Sequence, residues 1–249
     1  MASVSKRIDA IKQPRGGYIN PNRFKATSFD DGVILEQENI SPILMGLVVD
    51  YLTRLMLGCA PHEAFRISLI GAKKLHKEVG AVKLLKNVTG LDNLSITSAC
   101  KLTGFDVCYR SGVALYKPIE EINPDRRTMN NIKAMVNRSQ LFLKKYGPLV
   151  KDGFTFEGGY TKTITDGDGD FLTKDGLWDF KVSKTPPTAK HTLQLLVYYI
   201  MGIHSIHDEF STVEHLGIFN PRLNKVYKFP LSDLESSTIK EVEREVICY

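Results

Sequence analysis

The stretch DGDFLTKDGLWDFKVSK, residues 168–184, constrains the fold more tightly than any other part of this chain. Two short apolar-rich runs flank the turn residues Lys174-Asp175-Gly176, and Asp168 and Asp170 stand two apart on the first run. On the second run Asp179 and Lys181 are also two apart, interleaved with Trp178, Phe180 and Val182. Side chains two apart on a strand share one face. The pattern predicts neighbouring strands with charged groups gathered on a common face. That face is either a wet surface whose charges pair across strands or a site.

The remaining segments place these strands in a mixed α/β domain. Residues 1–40 are polar, carry the turn signals PRGG and NPN, and read as an irregular N-terminal arm. Ser41 can cap, and Pro42 fits the first turn of, a helix that Gly58 stops. A second helix is expected over HEAFRISLIGAKKLHKEVG, with Phe65, Leu69 and Ala72 on one stripe and Gly80 near its end. Further short helices are expected to about Tyr116, and RTMNNIKAMVNRSQLFLKKYG has helical spacing at Ile132, Met135, Val136 and Phe142. The texture then changes: FTFEGGYTKTI, GDGDFLT and GLWDFKVS read as a three-strand meander. AKHTLQLLVYYIMGIHS reads as a buried helix, EHLGIFN and KVYKF as strands, and SDLESSTIKEVEREV as a capped helix. Residues 41–249 are therefore expected to form one domain, mainly helical over 41–150 and with its core sheet in 151–249.

At 249 residues, 43% hydrophobic, the chain can bury a sizeable core. Its net charge of +5 is compatible with nucleic acid but does not demand it, because binding depends on where charge clusters. Cys59, Cys100, Cys108 and Cys248 form no CxxC pair and match no zinc spacing, so reduced thiols are expected. The start, MASVSKRIDA, lacks the apolar core of a secretory signal. The longest apolar run, PILMGLVVDYLTRLMLG, is broken by Asp50 and Arg54 and falls short of the roughly 18 uninterrupted residues of a membrane span. A soluble cytoplasmic protein with no membrane partner is expected.

Asp166, Asp168 and Asp170 imitate the first ligands of a calcium-binding EF-hand loop. The glycine that such a loop needs is Phe171, and its closing glutamate is Leu177. The better chemical fit is phosphodiester hydrolysis, which needs a hard cation to activate water and a positive group beside the developing charge. Magnesium takes oxygen ligands, usually a few carboxylates, and keeps several waters. Asp170 and Asp179 on neighbouring strands, with Lys181 sharing the face of Asp179, supply that set.

Gly169-Asp170-Phe171-Leu172, followed nine residues after Asp170 by Asp179 within Leu177-Trp178-Asp179-Phe180-Lys181, resembles the signature of the PD-(D/E)XK nuclease superfamily. Gln194-Leu195-Leu196-Val197-Tyr198 resembles the Q-x-x-x-Y motif of its RecB-type branch, and the spacing of four sets Gln194 and Tyr198 on one helix face. The proline that precedes the first acid of the signature is absent, and Asp168 is a further candidate for the role of Asp170. MGLVVDYLTR resembles the upstream helix of the family, with Asp50 where the family often carries His.

The resemblance implies a restriction-endonuclease-like core, a mixed β-sheet flanked by helices, and metal-dependent cleavage of DNA with Mg2+ or Mn2+. Asp170, Asp179, Asp50 and the backbone carbonyl of Phe180 would hold the metal. Lys181 would orient or activate water, and Gln194 and Tyr198 would support the site and contact substrate. The helical region would shape a substrate groove, with protein partners or self-association left open. The rival readings are an inactive nucleic-acid-binding or partner-binding module of the same fold, and a nuclease acting on RNA. His191, His204 and His207 fit surface or capping roles, Glu157 a turn-flanking surface acid, and Trp178 a core position.

Overall fold

The computed structural model describes residues 2–249. The chain forms two compact units: Met1–Phe29 with Phe142–Tyr249, and Asp30–Leu141. In chain order the first unit begins with β1 (Ala2–Ser3), α1 (Val4–Ala10) and β2 (Lys25–Ser28). The N-terminal segment is thus structured where an irregular arm was expected. β2 pairs antiparallel with the strand over residues 225–230, yet all four of its residues are exposed, so no apolar alternation announces it.

The helical unit holds α2 (Pro42–Met56), α3 (Pro61–Ala64), α4 (Arg66–Lys74), α5 (Glu78–Lys86), α6 (Asn93–Thr103), α7 (Asp106–Arg110) and most of α8 (Arg126–Tyr146). α2 starts as its sequence predicts: Ser41 Oγ accepts from the Leu44 N–H at 3.2 Å, and Pro42 occupies the first turn. The single helix expected over 62–80 is instead three. His76 adopts a left-handed conformation (φ 55°), which ends α4, and the chain restarts at Glu78. Tyr51, Ser68 and Arg110 converge on buried Asp106 and tie α2, α4 and α7 together.

The first unit resumes with β3 (Leu149–Phe154), β4 (Ile164–Asp166), β5 (Gly169–Thr173), β6 (Gly176–Phe180), α9 (Ala189–Ile203), β7 (His215–Asn220), β8 (Lys225–Pro230) and α10 (Ser236–Val242). The last helical turns, Glu243–Ile247, are π-helical, and the Glu235 side chain makes no cap, unlike the capped helix expected there. Six strands form one mixed sheet in the order β2-β8-β7-β6-β5-β3, while β4 leaves it to pair with β1. Of the expected meander, β5 and β6 are antiparallel neighbours and β3 lies beyond β5. β6 and β7 run parallel, joined by α9 as the crossover helix such a pair requires.

Strand alternation sorts the sheet into two cores. Leu172, Leu177, Leu216, Ile218 and Phe229 pack with α1, α9 and the C-terminal helix. Phe171, Trp178, Phe219 and Val226 pack on the other side with Phe142 and Leu143 at the end of α8. Trp178 is core, as expected, edge-on to Phe142 with centroids 4.9 Å apart. The four cysteines are free. No helix among the described residues is long and apolar enough to cross a membrane.

Candidate active site

The register of the β5–β6 pair places the acids. Phe171 stands opposite Trp178 and Leu172 opposite Leu177. Continued one step beyond these pairs, the register sets Asp170 against Asp179. Leu172 and Leu177 belong to the α9 side of the sheet, and residues two apart share a face. Asp170, Asp179 and Lys181 therefore project toward α9, at the carboxyl end of β6. In sheets with parallel crossovers, ligands bind outside the carboxyl ends of strands.

Two carboxylates directly opposite each other on paired strands repel, and burial sharpens the cost. Asp179 is only 2% exposed. Its Oδ1 lies 3.0 Å from the Lys181 ammonium, whereas its Oδ2 is buried with no hydrogen-bond partner. Asp170 Oδ2 accepts the Phe180 backbone N–H at 2.6 Å. Lys181 itself is held in place by its own N–H, which donates to the Phe219 carbonyl at 3.0 Å and carries the β6–β7 pairing past Phe180. Burial tends to strip the Lys181 proton, but Asp179, then Asp170, with Asp168 adding to them, hold its pKa above the usual lysine value. Lys181 thus lies in the field of three acids. Asp168 is exposed just before β5, and its charge acts on Lys181 and Tyr198.

α9 supplies the opposite wall. Gln194 Nε2 donates to the Tyr198 hydroxyl at 2.7 Å, and Tyr198 is 4% exposed. Burial first, then the charges of Asp179 and Asp170, push the Tyr198 phenol far above its ordinary pKa, so it stays neutral. The sequence placed Gln194 and Tyr198 on one helix face, and the structure turns that face to the acids.

His191 was assigned a surface or capping role, and the capping is present: its Nδ1 accepts the Thr188 N–H at 3.2 Å. It does more. Burial and then the charge of Lys181 lower its pKa, with Asp179 opposing, so the ring also lies within reach of the site's charges. His191, Gln194 and Tyr198 form a stripe at i, i+3 and i+7, a signal available in the sequence once the helix faces were drawn.

The other candidates make local contacts. Asp50 lies on α2 in the helical unit, where Arg54, one turn on, meets its Oδ1 at 3.1 Å. The burial cost expected for an unpaired acid in an apolar run is therefore met by a local ion pair. Glu157 is a surface acid, bonded to Thr155 and His207, which together bring its pKa down to about 2. His204 contacts Glu243 and stacks on Tyr249. Among the described residues no three His, Cys, Asp or Glu side chains gather as a metal centre, so the donor set to be weighed is the acid pair and its backbone. No family model, curated protein or solved structure matches the chain.

Proposed function

We propose that this chain is a metal-dependent deoxyribonuclease of the PD-(D/E)XK type, RecB-like, with a restriction-endonuclease-like core. The observation that carries the reading is Asp179 Oδ2, a buried acceptor with no partner, beside a second carboxylate across the strand pair. A well-packed structural acid would be fully bonded. Here one carboxylate oxygen is left over beside a second acid.

The donor chemistry fits a hard divalent cation. Asp170, Asp179 and the carbonyl of Phe180 would hold Mg2+ or Mn2+, which prefer oxygen ligands and retain waters; Asp50 is proposed as a further ligand on the resemblance alone. When bound, the ion supplies Lewis acidity and a more acidic water. Lys181, 3.0 Å from Asp179 Oδ1, would set a positive group beside developing phosphate charge and orient or activate water. Neutral Tyr198, bonded to Gln194, orients that amide toward substrate. His191, with Nδ1 occupied by the Thr188 N–H, is left with Nε2 as its free donor position.

The test is incubation with labelled linear and circular, single- and double-stranded DNA in Mg2+ or Mn2+, beside RNA, chelator and Lys181→Ala controls. The reading expects metal-dependent cleavage of DNA by the unaltered protein alone. Tight DNA binding with no cleavage in either metal would favour the inactive binding module, and cleavage of RNA alone the ribonuclease.

A further inference from the structure

We propose that the α4–α5 surface of the helical unit docks the phosphate backbone of duplex DNA. The inference rests on the nuclease reading for its choice of partner. Residues 66–86 carry Arg66, Lys73, Lys74, Lys77, Lys83 and Lys86 against a single acid, Glu78. All six cations are exposed, and among the described residues none of the five lysines is paired with a carboxylate.

Lysines in the last turn of a helix complement its dipole, and Lys73, Lys74, Lys83 and Lys86 occupy such turns. Stability of the helices would account for those four. It does not account for Lys77, which stands at the N-cap of α5 with no side-chain cap bond, where an anion or a capping oxygen is favoured. Aromatic rings flank two of the ammonium groups. Lys74 lies 5.0 Å from the ring centre of Tyr109, and Lys77 lies 5.0 Å from that of Tyr116 while donating to its hydroxyl at 3.3 Å. Along α5 the exposed stripe continues through Val79, Val82, Lys83 and Lys86, at i, i+3, i+4 and i+7. Six exposed cations against one acid suit a row of phosphates.

The experiment measures binding of a fluorescent 20-base-pair duplex by anisotropy, in chelator so that cleavage is not read, across a salt series. A variant with Lys74, Lys77, Lys83 and Lys86 all changed to Ala should bind at least about tenfold more weakly at low salt. Its slope of log K against log salt should fall by up to about 3.6, since each of four phosphates neutralised contributes roughly 0.9. The same positions changed to Arg should restore both. A control lacking Lys6, Lys12, Lys162 and Lys240 should lose far less. Circular dichroism checks folding, and Lys83→Ala with Lys86→Ala, both on the outward stripe, should give a smaller loss of the same kind. Unchanged affinity and slope in a folded patch variant, losses equal to the control, or binding by the unaltered protein to vesicles rich in phosphatidylglycerol but not to DNA would each overturn the proposal. Binding through the patch by a protein that never cleaves in Mg2+ would sink the nuclease reading alone.

Discussion

Two buried aspartates, one in each unit, are kept by opposite means. Asp106 is 1% exposed and Asp179 2%. Asp106 accepts from the Tyr51 hydroxyl and the Ser68 hydroxyl, each at 2.5 Å, and Arg110 Nε stands 3.6 Å away. Asp179 has Lys181 on one oxygen, nothing on the other, and Asp170 opposite. Burial alone therefore says little about role. A buried acid whose acceptors are all met is a joint of the scaffold. One with an unpartnered buried oxygen, beside another acid, is what the proposed metal site requires.

The comparison breaks most visibly at Asp179→Asn. Cleavage should fall by at least about 10³, the scale of losing a principal source of transition-state stabilisation, while the fold persists. Stability in chelator should hold or rise, because removing one of two facing carboxylates relieves repulsion. Gel assays and thermal melts read the two effects; cleavage at the unaltered rate would place Asp179 with Asp106 as scaffold. Asp106→Ala should do the reverse, costing about 3–5 kcal/mol in denaturant unfolding because its partners lose a buried acceptor. Metal binding by the folded fraction should be unaffected.

Lys181→Ala should cut turnover by about 10²–10³. DNA affinity should change much less, since many phosphate contacts share it. Asp50→Ala should move stability by no more than about 0.5 kcal/mol, as a partly exposed helix pair with Arg54 is worth little, yet cleavage should be lost. Retained cleavage would remove Asp50 from the site and leave the strand pair standing.

The smallest effect is on pH dependence, and its sign separates Asp106 from an ordinary ion-paired acid. Burial raises the Asp106 carboxyl above its usual value, although Ser68 and Tyr51 pull it back. Its protonated form is the better folded one, so its contribution is fully present below the ordinary carboxylate value and is lost as pH rises through the raised value. Asp31 runs the other way. Its hydrogen bonds from Arg138 hold its carboxyl low against a smaller effect of burial, so its contribution is present above the ordinary value and is lost as pH falls. Unfolding of Asp106→Asn and Asp31→Asn over an acid-to-neutral series should show opposite changes in slope; changes of one sign would contradict the assignment.

What the sequence made legible follows the reach of its signals. α2 was readable because Ser41-Pro42 is a local capping device, and α8 because its apolar spacing repeats over 21 residues. β5 and β6 were readable because Asp170 and Asp179 punctuate apolar runs at period two. β2 was not, since a fully exposed edge strand is defined by its partner β8 and not by its own pattern. The break between α4 and α5 was hidden because His76 lies in a left-handed turn with no glycine to mark it. The site's side chains were legible as a list, but not the register that sets Asp170 against Asp179, nor the reach of the Lys181 charge to His191.

The most direct test of the account is a calorimetric titration of metal-free protein with Mn2+, comparing the unaltered chain with Asp179→Asn and Asp106→Asn. The account predicts saturable binding by the unaltered chain and by Asp106→Asn, and affinity weaker by more than about tenfold in Asp179→Asn, since even supporting groups around a metal cost that much. Equal Mn2+ affinity in all three would contradict it, for the unpartnered oxygen of Asp179 would then hold no metal.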